Sequence, residues 1–146
     1  MLKEDSNQKS WHVSEVNSEG EITILRVKRV QPHFSLKAKI RVIWECQEIG
    51  NNEMPSQPEL ERMTTCEENL ETICKECGNA VLLFVITGSG IRQWVLHCQD
   101  VNEFTMWINK VFPHSPPFPI ELEFEEDKDW NEYREVFAIS TMQQAE

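Results

Sequence analysis

The order of amphipathic segments between Ala38 and Glu125 constrains the fold of this chain more strongly than any other feature. Hydrophobic periodicity over this stretch predicts a strand, a helix, two strands, a helix and a final strand. Segments in this order close into one antiparallel sheet with both helices packed on the same face. We therefore expect an α+β fold, a two-layer sandwich with a βαββαβ core.

Alternating apolar and polar residues locate the strands, and apolar residues at steps of three and four locate the helices. The core strands are predicted near residues 38–46, 80–87, 91–98 and 120–125, and the helices near 57–77 and 101–112. The longer helix has boundary signals of its own, a capping pair of Ser56 and Glu59 and a stop at Gly78. Nine apolar side chains are expected in the core: Ile40, Val42, Leu70, Ile73, Leu83, Val85, Phe104, Ile108 and Leu122.

Further segments flank this core on both sides. An N-terminal β-hairpin over residues 11–30 is expected to extend one edge of the sheet. After the last strand, a short C-terminal helix is predicted to begin at Asp127 or Asp129. The expected boundaries are a flexible leader at residues 1–10, a single α+β domain at 11–138 and a polar, frayed tail at 139–146.

Composition favours a globular protein with one core. The 146 residues are 40% hydrophobic and include five Trp and seven Phe. The sequence starts without an apolar run of signal-peptide length, and none of its segments reaches the roughly 20 apolar residues of a membrane span. The five cysteines are odd in number and fall within predicted helices and strands, so we expect reduced thiols and a cytoplasmic location.

The net charge of −11 is distributed unevenly along the chain. Acidic residues dominate beyond Ile120, whereas six basic residues gather in one short window: Arg26, Lys28, Arg29, Lys37, Lys39 and Arg41. An acidic protein is repelled by phosphate backbones, so we do not expect nucleic-acid binding unless this window forms an isolated patch. A basic protein partner is the natural complement of the acidic end; the alternative is that the acidic excess only maintains solubility.

Residues that resemble chemical motifs do not combine into a catalytic or metal site. Cys74 and Cys77 have the spacing of a redox or metal pair, but they close a helix and have no second pair with zinc-site spacing. His97 and Cys98 are neighbours on a strand and therefore point to opposite faces. The segment 88–90 (Gly-Ser-Gly) joins two strands and lacks the helix and Lys of a phosphate loop. We expect no enzymatic activity, no metal and no cofactor.

The acidic end supplies the candidate binding surface. Five carboxylates on the last strand and just after it are expected to steer a basic partner: Glu121, Glu123, Glu125, Asp127 and Asp129. Trp130 or Tyr133, one turn apart on the following helix, is expected to supply an exposed aromatic anchor. Two structural alternatives stay open. The carboxylates form a solvated face, and the aromatic side chains fasten the helix to the sheet.

Four segments resemble a known family: Asn52-Glu-Met-Pro-Ser56, Cys66-Glu-Glu-Asn-Leu70, Thr87-Gly-Ser-Gly-Ile-Arg-Gln-Trp94 and Phe124-Glu-Glu-Asp-Lys-Asp-Trp-Asn-Glu-Tyr133. Over roughly Trp11 to Phe137, the pattern resembles a bacterial family of domains of unknown function, number 695. That family is similar to the type B regulators of ribonuclease E activity, which are small acidic proteins. The resemblance implies a ferredoxin-like fold and an acidic-Trp-x-x-Tyr segment after the last strand, as at residues 129–133 here.

These observations lead to one expected function and two alternatives. We expect a non-catalytic acidic module that regulates or neutralises a basic protein partner, by analogy with the ribonuclease regulators. The first alternative is an immunity protein that shields its cell from a toxin, such as a nuclease. The second is RNA binding through the basic window of residues 26–41. A homodimer is a further possible assembly.

Overall fold

The computed structural model describes residues 11–47 and 54–145. Within these ranges the chain has an α+β fold with one six-stranded antiparallel sheet and three α-helices. The predicted leader at residues 1–10 lies outside the described residues. In the described ranges, none of the helices is long and apolar enough to cross a membrane.

The strands and helices follow one another in the predicted order. The strands are β1 (Trp11–Ser18), β2 (Glu21–Lys28), β3 (Ala38–Glu45), β4 (Ala80–Gly88), β5 (Ile91–Cys98) and β6 (Ile120–Glu126), and the helices are α1 (Gln57–Cys77), α2 (Val101–Val111) and α3 (Asn131–Ala145). The sheet order is β1-β2-β4-β5-β3-β6, with every neighbouring pair antiparallel. The N-terminal hairpin thus extends the sheet beside β4, and β6 lies at the opposite edge.

Capping residues set the helix ends where the sequence predicts them. The Ser56 side chain accepts a hydrogen bond from the backbone N–H of Glu59 at 3.4 Å and so starts α1. Gly78 ends this helix with φ of 73°, a left-handed conformation that glycine adopts without a steric cost. At the start of α2, the Asp100 carboxylate accepts from the N–H of Asn102 at 2.9 Å.

Helices α1 and α2 pack together on one face of the sheet, as predicted. All of the predicted core residues are buried except Leu122, which is half-buried because it lies on an edge strand. Trp44 and Trp94 are fully buried in the same cluster. Their indole N–H groups donate to Glu59 and Glu67 of α1 at 2.8 and 2.9 Å, so neither aromatic side chain leaves a buried donor unpaired.

Helix α3 packs on the opposite face, so the expectation of two layers is wrong where this helix covers the sheet. A second buried cluster on this side combines residues of β2, β4 and β5 with two residues near the start of α3: Leu25, Val27, Leu83, Phe84, Val95, Trp130 and Tyr133. Leu83 and Phe84 are adjacent and yet both lie in this cluster, because an irregularity in the β4–β5 register between Leu82 and Phe84 interrupts the alternation of side chains. Part of the sheet is therefore covered by helices on both faces.

Helix α3 is also longer than the sequence predicts. It continues through Ala145 in place of the expected frayed tail. Ser140 is fully buried, and its hydroxyl lies 3.2 Å from the hydroxyl of Ser14 on β1. A polar side chain is stable in a buried position when it is hydrogen-bonded, and this contact supplies a partner to both hydroxyls. The contact of Ser140 thus fastens α3 to β1 beyond the predicted end of the domain at residue 138.

The five cysteines are free thiols. Burial raises the pKa of Cys66 and of Cys98 to about 12 in each case. Burial also raises the pKa of Cys74. These three thiols therefore stay protonated at neutral pH, and a protonated thiol is a poor nucleophile and a poor metal ligand.

Candidate functional site

Strand β6 forms one edge of the sheet and carries a row of exposed glutamates, here called the acidic edge: Glu121, Glu123, Glu125 and Glu126. On its inner side β6 pairs with β3 along its whole length. On its outer side no strand of the described chain is present. The outward-facing backbone N–H and C=O groups of an edge strand can pair with an added strand, so this edge offers hydrogen bonds as well as charge.

Two glutamates of the acidic edge are paired with cations of the neighbouring strand. Lys39 Nζ lies 3.4 Å from a carboxylate oxygen of Glu125, and Arg41 Nε lies 3.9 Å from one of Glu123. The other two have no ion pair among the described residues. Because exposed ion pairs of this length are weak and screened by salt, the edge keeps a local negative charge.

Phe124 adds apolar surface to the acidic edge. Its side chain alternates with the glutamates along β6 and lies on the same face as Leu122. About 43% of Phe124 is exposed, although the residue belongs to the apolar row of its strand. Its position on an edge strand explains the exposure, because the sheet covers it from one side only.

The two aspartates that follow β6 have different environments. Asp127 is buried, and its carboxylate accepts hydrogen bonds from the backbone N–H groups of Asn131 and Glu132 at 3.0 and 3.4 Å. It therefore caps the first turn of α3, which corrects the expectation that it steers a partner from the surface. Asp129 is exposed, and its backbone carbonyl accepts from Arg134 Nε at 2.9 Å.

Trp130 and Tyr133 are buried, so neither is the exposed anchor that the sequence suggests. Trp130 is fully buried, and its indole N–H donates to the carbonyl of Leu36 at 3.0 Å. The Tyr133 hydroxyl donates to the carbonyl of Lys28 at 2.7 Å and accepts from the N–H of Val30 at 2.8 Å. Both residues fasten α3 to the sheet, the alternative that the sequence left open.

The backbone at Trp130 also departs from the ordinary helical pattern. Its φ is 57°, a left-handed conformation that a bulky residue rarely adopts. This conformation lets the chain turn sharply between β6 and α3. The buried contacts of the indole ring offset the local strain.

Glu132 links α3 to two basic residues of β3, a contact that sequence reasoning missed. Its carboxylate accepts hydrogen bonds at 2.6 Å from Lys39 Nζ and from the Arg41 guanidinium. Burial acts to raise the pKa of Glu132, but the bonds from Arg41 and Lys39 outweigh burial and lower that pKa below its ordinary value. The alternation of β3 places both cations on one face, but it does not reveal which element covers that face.

The basic window of residues 26–41 does not form one surface. Arg26 and Lys28 of β2 point to the α1 face, where Glu67 and Glu71 accept their hydrogen bonds at 3.1 and 3.2 Å. The two cations of β3 point to the opposite face, toward α3. Most of the positive charge of the window is therefore divided between two faces and paired with carboxylates within the protein.

His97 lies beneath α3 and is shielded from solvent. Its Nδ1 lies 2.7 Å from the Leu36 carbonyl, and the ring is 4.5 Å from the Trp130 ring between centroids. Nε2 has no hydrogen-bond partner in the described part of the chain, and the nearest carboxylate oxygen, of Asp127, is 4.0 Å away. Burial lowers the pKa of His97, although Asp127 acts in the opposite direction. A covered, neutral imidazole of this kind cannot reach a substrate.

The chemistry available at the acidic edge is attraction and backbone pairing. Its carboxylates are exposed to water, so they can attract cations, and the outward backbone groups of β6 can pair with an added strand. Within the described ranges, no group of three His, Cys, Asp or Glu side chains is placed to hold a metal ion.

Comparison with known proteins identifies the family of this chain. The model of a family of unknown function, DUF695, matches residues 9–137. The match includes all six strands, α1, α2 and the first half of α3. Neither the curated proteins nor the solved structures give a significant match. The chain therefore belongs to the family of unknown function DUF695.

Proposed function

We propose that this chain is a non-catalytic acidic module that regulates or neutralises a basic partner protein, which it binds through the acidic edge. One observation carries the proposal most directly. The outer side of β6 has no described strand partner, and exposed glutamates line it. Backbone pairing provides affinity at such an edge, and the carboxylates favour a basic segment over neutral or acidic ones.

An extended, basic segment of the partner fits this edge. Alternate residues of an added strand would meet Glu121, Glu123 and Glu125 on one face of the sheet and Leu122, Phe124 and Glu126 on the other. A segment that alternates Lys or Arg with apolar residues is complementary to both faces. A second copy of β6 would place glutamates opposite glutamates, so the charge opposes a homodimer through this edge.

The structure changes the composition of the proposed contact surface. Phe124 takes the place of Trp130 and Tyr133 as the aromatic contact, because it is exposed and they are buried. Asp127 is replaced by Glu126 among the steering carboxylates, because Asp127 caps α3 and Glu126 is exposed.

We further propose that β3 to β6, with α1 and α2, form a ferredoxin-like core. The strand order β4-β5-β3-β6 and the packing of both helices on one face support it. Because ferredoxin-like folds serve many functions, the core alone does not select between a ribonuclease regulator and an immunity protein. The two roles differ in the basic partner, which is either an enzyme of the same cell or a toxin.

The five free thiols support a location in a reducing compartment such as the cytoplasm.

Charge reversal with a matched control tests the acidic edge. The variant Glu121→Lys/Glu126→Lys changes exposed residues of β6, and the control Glu68→Lys/Glu76→Lys makes the same charge change on the exposed side of α1. Affinity capture from the native cell with the wild-type chain supplies the partner, and surface plasmon resonance then gives the association rates. We expect the β6 variant to associate about tenfold or more slowly at low salt, with a smaller difference at high salt.

The control decides how the result is interpreted. Association of the α1 control close to wild type, with slow association of the β6 variant, supports binding at the acidic edge. Equal rates for all three proteins would contradict it. Retention of RNA at low salt, falling steeply as salt is added, would instead favour the nucleic-acid alternative. We expect no such retention, because the cations of β2 and β3 are paired with carboxylates on two faces.

A further inference from the structure

A cleft of about 500 Å³ lies between the segment that follows β2 and helix α3. One wall is formed by residues 29–32, and the other by one side of α3: Tyr133, Arg134, Phe137, Ala138 and Thr141. None of the residues that line the cleft is acidic. This composition is unusual in a chain with a net charge of −11.

Two exposed arginines in this cleft have no ion pair among the described residues. The guanidinium of Arg29 lies over the Phe137 ring, 5.3 Å from its centroid. Arg134 donates from Nε to the Asp129 carbonyl at 2.9 Å. These contacts restrain each side chain and leave further guanidinium N–H groups without a described acceptor. By contrast, Arg26 and Arg41 are bound to carboxylates.

Apart from the Gln31 amide, the remaining surface of the cleft is apolar or already hydrogen-bonded. Val30, Pro32 and Ala138 supply apolar wall. The Tyr133 hydroxyl is engaged as both donor and acceptor with backbone groups. The charged donors of the cleft are the two guanidinium groups, which bind carboxylate and phosphate through paired N–H donors, and the Gln31 amide adds neutral donors.

The acidic edge lies too far from Arg29 to cancel the positive charge of that side chain. Four strand spacings separate β2 from β6 in the sheet, a distance of about 19 Å at roughly 4.8 Å for each spacing. The Debye length at physiological ionic strength is about 8 Å, so repulsion from the distant glutamates is largely screened. Attraction at contact distance is screened much less.

We propose that this cleft binds a small organic anion, with its phosphate or carboxylate group held by Arg29 and Arg134 and its apolar body against Pro32 and Ala138. The site is independent of the proposed function, because it shares no residue with the acidic edge.

Titration of the full chain with two naphthyl anions tests the site. The probes are 1-naphthyl phosphate and 1-naphthoate, and inorganic phosphate and 1-naphthol supply the anionic group and the apolar body alone. Binding is measured by isothermal titration calorimetry at low salt for the wild type, Arg29→Gln, Arg134→Gln and Lys75→Gln. Lys75 is an exposed cation at the end of α1, so its replacement controls for the change in net charge.

We expect each arginine variant to lose about tenfold or more in affinity, as for a lost hydrogen bond to a charged group, and Lys75→Gln to bind like the wild type. Thermal unfolding followed by circular dichroism confirms that each variant is folded. Binding of only one naphthyl anion identifies the preferred anionic group, and binding of either supports the site. No binding to the wild type at millimolar concentration, or equal binding by the arginine variants, would overturn the proposal. Binding of 1-naphthol as tight as that of the anions would overturn it as well.

Discussion

At the scale of single residues, Glu132 is the carboxylate of α3 that binds both basic residues of β3. It binds Lys39 and Arg41, and the Lys39 side chain is only 10% exposed. We expect Glu132→Gln to lower the free energy of unfolding by about 1–3 kcal/mol, because both cations lose a charged acceptor in a partly buried position. Urea denaturation of the wild type and the variant measures this difference.

Glu135→Gln is the matched control for that substitution. Glu135 lies on the exposed side of the same helix and has no ion pair in the described part of the chain. A surface change of this type alters the free energy of unfolding by about 0.5 kcal/mol or less. If both variants lose a similar amount of unfolding free energy, the ion pairs of Glu132 add no more stability than an exposed glutamate on α3 does.

At the scale of elements, the docking of α3 depends on Trp130. The helix has 15 residues, and an isolated helix of this length is marginal in water, so its contacts with the sheet stabilise it. Trp130→Ala removes a fully buried indole, and we expect a loss of about 3–5 kcal/mol in the free energy of unfolding. Hydrogen exchange measured by mass spectrometry should be faster in Trp130→Ala than in the wild type over residues 131–141. The increase in α1 should be smaller.

The control for this prediction is Ile139→Ala, on the same helix at a side chain that is 46% exposed. We expect exchange in α3 to stay close to that of the wild type, because little apolar area is lost. If the two alanine variants exchange alike, Trp130 does not anchor the helix.

At the scale of the whole molecule, the buried imidazole makes stability depend on pH. Burial lowers the pKa of His97 below its ordinary 6.5 in the folded protein, although Asp127 opposes this effect and Lys39 adds to it. The unfolded chain therefore binds the proton more readily, and stability rises with pH in this window. We expect the free energy of unfolding to fall as the pH decreases from about 6.5 toward the lowered pKa of His97.

The variant His97→Gln should flatten this part of the profile, and His114→Gln, at an exposed histidine, should leave it unchanged. The measurement is urea denaturation between about pH 5 and pH 7.5, spanning the ordinary pKa of His. The carboxylates Glu67 and Glu132 act in a separate, lower range, because their folded pKa values lie below 4.5. A profile that is the same in the wild type and His97→Gln would assign the pH dependence to other groups.

Local patterns in the sequence account for most of the strands, for α1 and α2, and for the cluster between those helices and the sheet. Alternation along β3 places Ile40 and Val42 on one face, and helical spacing places Phe104 and Ile108 together, so these residues lie in one core. Capping residues such as Ser56 and Gly78 mark helix ends, because their conformations depend on nearby backbone groups. The alternation of apolar residues and glutamates along β6 likewise predicts that the glutamates are exposed.

Only the tertiary structure decided which of these faces are covered. Periodicity shows that Trp130 and Tyr133 share a segment, but their burial depends on the apolar residues that β2, β4 and β5 present to α3. The same holds for the pairing of Lys39 and Arg41 with Glu132, and for the cleft beside Arg29. The physical reason is that period and capping are properties of neighbours along the chain, whereas burial and ion pairing depend on contacts between segments about a hundred residues apart.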